Sequence, residues 1–222
     1  GRAGRLLPWL LPQIALAREN GQPVILLVPE HASYQAEVDL CRVCGDTVSR
    51  HAEVLSFTRL ARRVSDSVGS AAMECLDKGG RVVAMASAAR QLASRLKAYA
   101  AVETKPEFLS GLIDGIDEFK RCCITSADLM AAAQRTEGSL AQKLEELSLI
   151  MDCYDGLCKK GKRDPRDQMT WLLEQIEECD FAENHVFYID GFPDFTRQHM
   201  AILEHFILES PDVTISFTCD NP

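Results

Sequence analysis

The sequence predicts an α/β fold in which a parallel sheet is interrupted by a large all-helical insertion. Short, nearly continuous apolar runs of strand length occur only near the two ends of the chain. Helical patterns alternate with those runs, as crossover helices do in a parallel sheet. Between residues 65 and 184, by contrast, every periodic segment has the spacing of a helix, about 3.6 residues per turn, and no strand-like run stands out.

Taken in order, a helical pattern covers residues 6–20 and stops at Gly21. Residues 24–28 (Val-Ile-Leu-Leu-Val) are apolar without a break, the pattern of a strand covered on both faces. A helix follows over 34–43, a weaker strand over 53–57 and a helix over 58–68. After the middle block come a strand over 185–190, a helix over 196–209 and a strand over 213–218. The block itself divides into helices over 80–101, 106–123, 126–135, 139–160 and 167–179. Ser126-Ala127-Asp128 and Ser139 are the expected N-caps, and Gly138 and Gly161 the expected stops. The domain boundaries expected from this are 1–64 with 185–222 for the sheet, and 65–184 for the insertion.

Composition narrows the function classes. With 222 residues and 46% hydrophobic content the chain buries a substantial core. Its 24 basic and 33 acidic residues leave a net charge of −9, which excludes a generally basic nucleic-acid coat but not a local basic patch. No apolar run approaches the roughly 20 residues of a membrane span. Nine cysteines, an odd number in a chain too long to depend on staples, read as reduced thiols of a cytoplasmic protein. The chain opens on Gly1 without an initiator Met or a signal segment, and both ends read as the edges of a fragment.

Five segments bear on chemistry. Gly1-Arg2-Ala3-Gly4 before a helix lies where a phosphate-binding loop belongs, since glycines let backbone N–H groups turn onto phosphates at a helix N-terminus. The Lys and Ser/Thr that complete such a loop do not follow Gly4, so the segment reads either as a turn or as half of the motif. Asp190, at the end of a buried-looking strand, is placed like a Mg²⁺-holding carboxylate, or simply opens a turn. Gly191 follows it, where a water-activating Glu stands in ATPases. Ser56-Phe57-Thr58-Arg59 with Arg62 and Arg63 joins a strand end to hydroxyls, an aromatic and cations. Phosphates and bases are contacted by such groups, although a solvated helix face with Phe57 in the core gives the same pattern. Four arginines face one glutamate between residues 50 and 63. Lys159-Lys160-Gly161-Lys162-Arg163 is a second basic cluster that reads as a solvated loop. Cys41-Arg42-Val43-Cys44 supplies two of the four ligands a structural zinc needs, and no metal site is expected.

The order of these segments is more specific than any one of them. LVPE, LSFTRLARRV, DEFKRCCI and YIDGFPDFTRQ, in this order across essentially the whole chain, resemble the N-terminal region of the AddB family, the B subunits of bacterial ATP-dependent helicase–nucleases. The resemblance implies a P-loop NTPase fold, like the first motor domain of UvrD-type helicases, with an inserted helical subdomain. It places residues 28–34 and Ser56, Phe57 and Thr58 in strand-end segments that touch single-stranded DNA. Arg59, Arg62 and Arg63 then stand beside them as phosphate contacts. It makes Asp190 the Walker-B carboxylate, with Asp194 and Gln198 in the segment that follows, and Gly1, Arg2 and Gly4 the remnant of the nucleotide loop. The missing Lys-Ser/Thr, the Gly at 191 and the absence of a sensor Gln after Phe217 each remove part of the phosphoryl-transfer machinery.

The expected function is that of a hydrolysis-inactive, helicase-like domain, not catalytic on its own. It would handle single-stranded and duplex DNA and dock an AddA-type motor subunit during resection of double-strand breaks, with a part in recognising the recombination hot-spot Chi. ATP and Mg²⁺ are cofactors if the phosphate loop is complete, and no cofactor is expected otherwise. Two rivals stand beside this expectation: a competent P-loop ATPase, and a protein-interaction module in which DNA contact is incidental.

Overall fold

The computed structural model describes residues 12–14, 16, 21–45, 50–69, 74–100, 105–160 and 162–217. Two compact units emerge, one of residues up to 72 together with those from 168 onward, the other of residues 73–167.

The first unit is built on a four-stranded, wholly parallel sheet in the order β2-β1-β3-β4. Its strands are β1 (Val24–Leu27), β2 (Ala52–Leu55), β3 (Val186–Ile189) and β4 (Val213–Ile215). β1 and β3 are the central pair, in register Val24 to Val186 through Leu27 to Ile189, and both are buried at every position. Their alternate side chains feed two cores. Ile25, Leu27, Phe187 and Ile189 enter one, and Val24, Leu26, Val186 and Tyr188 the other. A continuous apolar run is therefore what a strand covered on both faces requires.

Helix α1 (Ser33–Cys44) links β1 to β2 and packs Ala36 and Leu40 on one face. On the opposite face lie α2 (Phe57–Ser67), α7 (Gln168–Glu177) and α8 (Arg197–Glu209). The chain moves from β1 to β2 in one direction and from β3 to β4 in the other. Right-handed crossovers then put α1 and α8 on opposite faces. In α2 the buried residues are Phe57, Leu60, Ala61, Val64 and Ser65. That spacing is one stripe of a helix, and it turns Thr58, Arg59, Arg62 and Arg63 outward.

The second unit contains α3 (Lys78–Gln91), α4 (Pro106–Arg121), α5 (Ser126–Ala133) and α6 (Gly138–Lys159) around a core that includes Met85, Ile116, Ile150 and Tyr154. Where the chain enters and leaves this unit it pairs with itself: Leu76 N–H donates to Arg163 O at 2.8 Å and Arg163 N–H to Glu74 O at 2.9 Å. Beside that stem the fully buried Asp164 takes Arg81 and Lys120, at 3.2 and 3.3 Å, and Arg81 also pairs with Asp117. Burial alone would lower the pKa of Lys120, but Asp167, Asp155 and Asp164 raise it above the ordinary lysine value.

Several boundaries differ from expectation for identifiable reasons. Phe57 opens α2 instead of closing β2, because Ser56 is the N-cap. The helix expected over 80–101 stops at Gln91. Beyond it, the Glu146 carboxylate accepts backbone N–H bonds from Lys97, Ala98 and Tyr99 at 2.9–3.0 Å, which holds a turn. Thr125, not Ser126, caps α5, with Asp128 closing a capping box. Gly138 starts α6 instead of ending a helix, and Ser139 lies inside it. β4 is three residues long, and Thr218 lies outside the described residues, as does Gly161. Residues 65–69 and 168–184, expected with the insertion, fall in the unit of the sheet.

Candidate functional site

In an open parallel sheet, ligands bind beyond the carboxyl ends of the strands, where successive connections leave in opposite directions. Here that point lies between β1 and β3. Asp190 N–H donates to Leu27 O at 3.0 Å, which carries the β1–β3 pairing to the end of the strands. The next residue, Gly191, has φ +80°, and a Cβ there would sit 3.5 Å from Pro29 Cδ. Space is therefore not what forbids a side chain at 191; the left-handed backbone is what disfavours one.

Polar groups flank this point on both sides. Ser56 leaves β2, caps α2 by accepting from Arg59 N–H at 3.3 Å, and donates its hydroxyl proton to Glu30 in the turn after β1. Ser216, just past β4, donates its hydroxyl proton to the Asp190 carboxylate, while its N–H reaches Ile189 O at 2.9 Å. The loops after β1 and β2 are thus tied by one hydroxyl–carboxylate bond, and those after β3 and β4 by another. Charge-assisted bonds of this kind are the stronger class of hydrogen bond.

An aromatic layer supports this edge from the α2/α8 side. Thr196 caps α8, its Oγ1 accepting from His199 N–H at 3.2 Å, and Thr196 N–H donates back to His199 Nδ1 at 3.4 Å. The imidazole lies flat on Phe57, ring centroids 4.1 Å apart and planes 8° from parallel, and Phe192 meets Phe57 edge-on at 5.5 Å. Burial pushes the pKa of His199 below the ordinary imidazole value, against an opposing pull from Asp194. Burial thus favours the neutral form of the ring that packs on Phe57.

Of the residues expected at the site, Ser56, Phe57 and Asp190 come together here. Phe57 is buried, so its ring packs and is not offered to a base. Thr58 and Arg62 are exposed on α2. Arg59 pairs with Glu37 at 2.7 Å, and Arg63 with Glu53 at 3.0 Å while lying 5.9 Å over the Phe181 ring. Two of the three arginines are therefore engaged by partners within the unit. Gln198, also buried, donates to Thr170 of α7 at 3.2 Å. Gly1, Arg2 and Gly4 lie outside the described residues. Sequence reasoning missed Ser216 and the Thr196–His199 box, and gave Glu30 no role beyond its place in the 28–34 segment. The box was legible as a Thr followed three residues on by a side chain able to bond back, whereas the two hydroxyl–carboxylate pairs each span 26 residues.

Only Asp190, among the described residues expected to serve a nucleotide, offers a carboxylate to Mg²⁺, and that carboxylate already accepts from Ser216. Gly191 contributes no side chain beside it. The described residues contain no group of three or more metal-ligating side chains set to hold an ion. An open cavity of about 360 Å³ lined by Glu177, Glu178, Asp180, Glu183, His205 and Glu209 lies among segments that precede β3 or end α8, away from the strand ends.

The arrangement is that of a parallel α/β domain, with a helical unit inserted in its chain and a polar rim at the carboxyl edge of the sheet. A sequence model described as "ADDB, N-terminal" matches residues 10–222, and the chain belongs to that family. It is 33% identical over 225 residues to the B subunit of the ATP-dependent helicase/deoxyribonuclease of Alkaliphilus metalliredigens, an alignment covering 99% of this chain and 20% of that protein. The protein of the same name from Thermoanaerobacter sp. is 34% identical over 203 residues (90% and 18%), and that of Clostridium acetobutylicum 30% over 224 (99% and 19%). The chain thus spans about a fifth of the length of these relatives. No helix among the described residues is long and apolar enough to cross a membrane.

Proposed function

We propose that this chain is the helicase-like domain of the B subunit of an ATP-dependent helicase–nuclease, a P-loop NTPase-type fold of the UvrD kind. It handles DNA beside an AddA-type motor subunit and does not hydrolyse nucleotide. The observation that carries the reading is Gly191. It follows the carboxylate at the strand-order reversal, on a backbone with φ +80° that disfavours the Glu a hydrolytic site requires. The match to AddB sequences supports the DNA context, with break resection and Chi recognition as the tasks of the whole subunit. A cytoplasmic setting fits the free thiols at Cys41 and Cys153.

On this reading the carboxyl edge meets single-stranded DNA. Tyr34, on the first turn of α1, is largely exposed just past β1, and Thr58 and Arg62 are exposed on α2. An aromatic face, a hydroxyl and a cation are the groups that grip a single strand without reading its sequence. The internal pairing of Arg59 and Arg63 favours a second reading, in which the unit docks protein and DNA contact is incidental.

Anisotropy of a labelled oligothymidylate titrated with the 222-residue chain separates the two. The DNA role predicts an affinity that falls steeply between about 50 and 200 mM salt, with Arg62→Glu reducing the salt slope by roughly one. No binding even at low salt would leave the protein-docking reading. Phosphate release from ATP above the buffer rate would refute the inactive assignment.

A further inference from the structure

Cys122 and Cys123 are consecutive, and both are exposed. They directly follow α4, whose last carbonyls are taken up by the turn. Cys122 N–H reaches Glu118 O at 3.0 Å, Cys123 N–H reaches Lys120 O at 3.0 Å, and Ile124 N–H reaches Phe119 O at 2.8 Å. Such a helix end holds one residue in the left-handed region, where Gly is the usual occupant. Elsewhere among the described residues the chain follows that preference, with positive φ at Gly21, Gly45, Gly69, Gly138 and Gly191. Cys123, at φ +55°, is the one exception that is not a glycine. A side chain kept where glycine would suit the backbone better points to a use for that side chain.

Chemistry narrows that use. Thiols on neighbouring residues are poorly placed to bond to each other. Disulfides usually join Cα atoms about 4.4–6.8 Å apart, whereas consecutive Cα atoms are only about 3.8 Å apart. A third atom set between the two sulfurs removes that constraint. Zinc is not that atom, because a structural zinc takes four ligands. Among the described residues no group of three or more ligating side chains gathers to hold an ion. The partner must therefore be a thiophilic centre that two sulfurs satisfy. Cys122 Sγ also lies 3.9 Å from Glu118 Oε1, and a carboxylate beside a thiol disfavours the thiolate. The pair suits a reaction in which the thiols hand their protons to the leaving group.

We propose that Cys122 and Cys123 form a dithiol site that captures trivalent organic arsenicals at the end of α4. The arsenic–oxygen double bond is exchanged for two arsenic–sulfur bonds. The oxygen leaves as water with the two thiol protons, and nothing is oxidised or reduced. The other close pair of cysteines, Cys41 and Cys44 in the last turn of α1, is half-buried and packs against the core beneath that helix. The exposed pair is therefore the one open to a bulky reagent.

Native mass spectrometry of the 222-residue chain titrated with phenylarsine oxide tests this, followed by peptide mapping of the adduct. The first adduct is expected on the peptide that contains residues 122 and 123. Two sulfurs acting together gain roughly 10²–10⁴ in affinity over one. Cys122→Ser and Cys123→Gly should therefore each weaken capture at least about a hundredfold. Cys123→Gly is the decisive variant, because glycine suits the left-handed backbone and the helix end stays folded. Cys41→Ser should leave capture at residues 122 and 123 unchanged. Undiminished capture by the Cys123→Gly chain would overturn the proposal, as would a first adduct that maps to Cys41 and Cys44. The readout involves no DNA, so the dithiol site stands or falls independently of the DNA role.

Discussion

Gly191→Ala isolates the constraint that sets the character of the rim. The backbone there has φ +80°, and the added Cβ would meet only Pro29 Cδ, at an ordinary contact distance of 3.5 Å. Steric overlap therefore contributes nothing, and the cost is conformational. Holding an L-residue in the left-handed region costs about 1–2 kcal/mol. Replacing Gly also narrows the unfolded ensemble, which returns about 0.4–1 kcal/mol. The net expectation is a destabilisation of roughly 0.5–1 kcal/mol. Gly111 provides the control, because it lies exposed inside α4 with open space around its would-be Cβ. There the same substitution should stabilise by about 0.5–1 kcal/mol, the ordinary helix preference for Ala. Urea denaturation followed by tryptophan fluorescence reads Gly191→Ala, Trp171 lying in α7 of the same unit, and calorimetry reads Gly111→Ala. A Gly191→Ala protein as stable as its parent would show that the backbone does not enforce Gly at this position. Gly191→Glu should carry the same backbone cost and gain no ATP turnover in a phosphate-release assay. Turnover above buffer in that variant would refute the idea that the left-handed residue, not merely a missing carboxylate, keeps the rim inactive.

Three further outcomes follow from the same reasoning. Cys123 occupies the left-handed position (φ +55°) of a helix-ending motif in which Ile124 N–H reaches Phe119 O at 2.8 Å. Cys123→Gly should accordingly raise stability by about 0.5 kcal/mol and Cys123→Ala should not, as read by calorimetry. Glu146→Gln weakens the clamp on residues 97–99 and should cost about 1.5–3 kcal/mol, the range for hydrogen bonds to a charged group, with faster exchange at those three amides as the readout. The imidazoles of His185 and His199 are both held below their ordinary pKa, chiefly by burial. Their contribution is therefore complete above the ordinary imidazole value and is lost as pH falls below it toward the folded values. Urea midpoints of the sheet unit should drop between about pH 7.5 and 5.5, and His199→Leu should flatten that profile.

The strands were legible because burial on both faces leaves an unbroken apolar run, and β1 and β3 have one. Helix ends were less so, because capping turns on which side chain bonds back. Ser56 claimed Phe57 for a helix, and Thr125 with Asp128 moved the start of α5 by one position from the obvious Ser-Ala-Asp signal. The early end of α3 depends on Glu146, about fifty residues away in sequence, and local periodicity carries no trace of such a partner. The site divides in the same way. Asp190 and Ser56 were recognisable as polar residues at the ends of apolar strands. That Arg59 and Arg63 are engaged by Glu37 and Glu53 was not, since those glutamates lie on other elements.

The pairing at the rim bears on what such an edge does. A centre that turns over nucleotide keeps its carboxylates turned toward substrate and metal, because catalysis there is positioning and charge stabilisation. Here Asp190 is taken by Ser216 and Glu30 by Ser56, and His199 is stacked on Phe57. The two carboxylates instead tie one loop to the next across the carboxyl edge. The edge so formed presents a set shape with Tyr34, Thr58 and Arg62 exposed. A surface of that kind suits a ligand recognised by contour, stacking and phosphate charge better than one that must be activated, which is why the proposed DNA contact and the proposed loss of hydrolysis are parts of one design. Ser216→Ala tests the link directly: it frees the Asp190 carboxylate without touching Tyr34, Thr58 or Arg62. The variant should lose about 1–3 kcal/mol of stability and show no gain in ATP turnover. Its oligothymidylate affinity should fall only through the loosened loops, a loss that a Tyr34→Ala variant of unchanged stability must exceed.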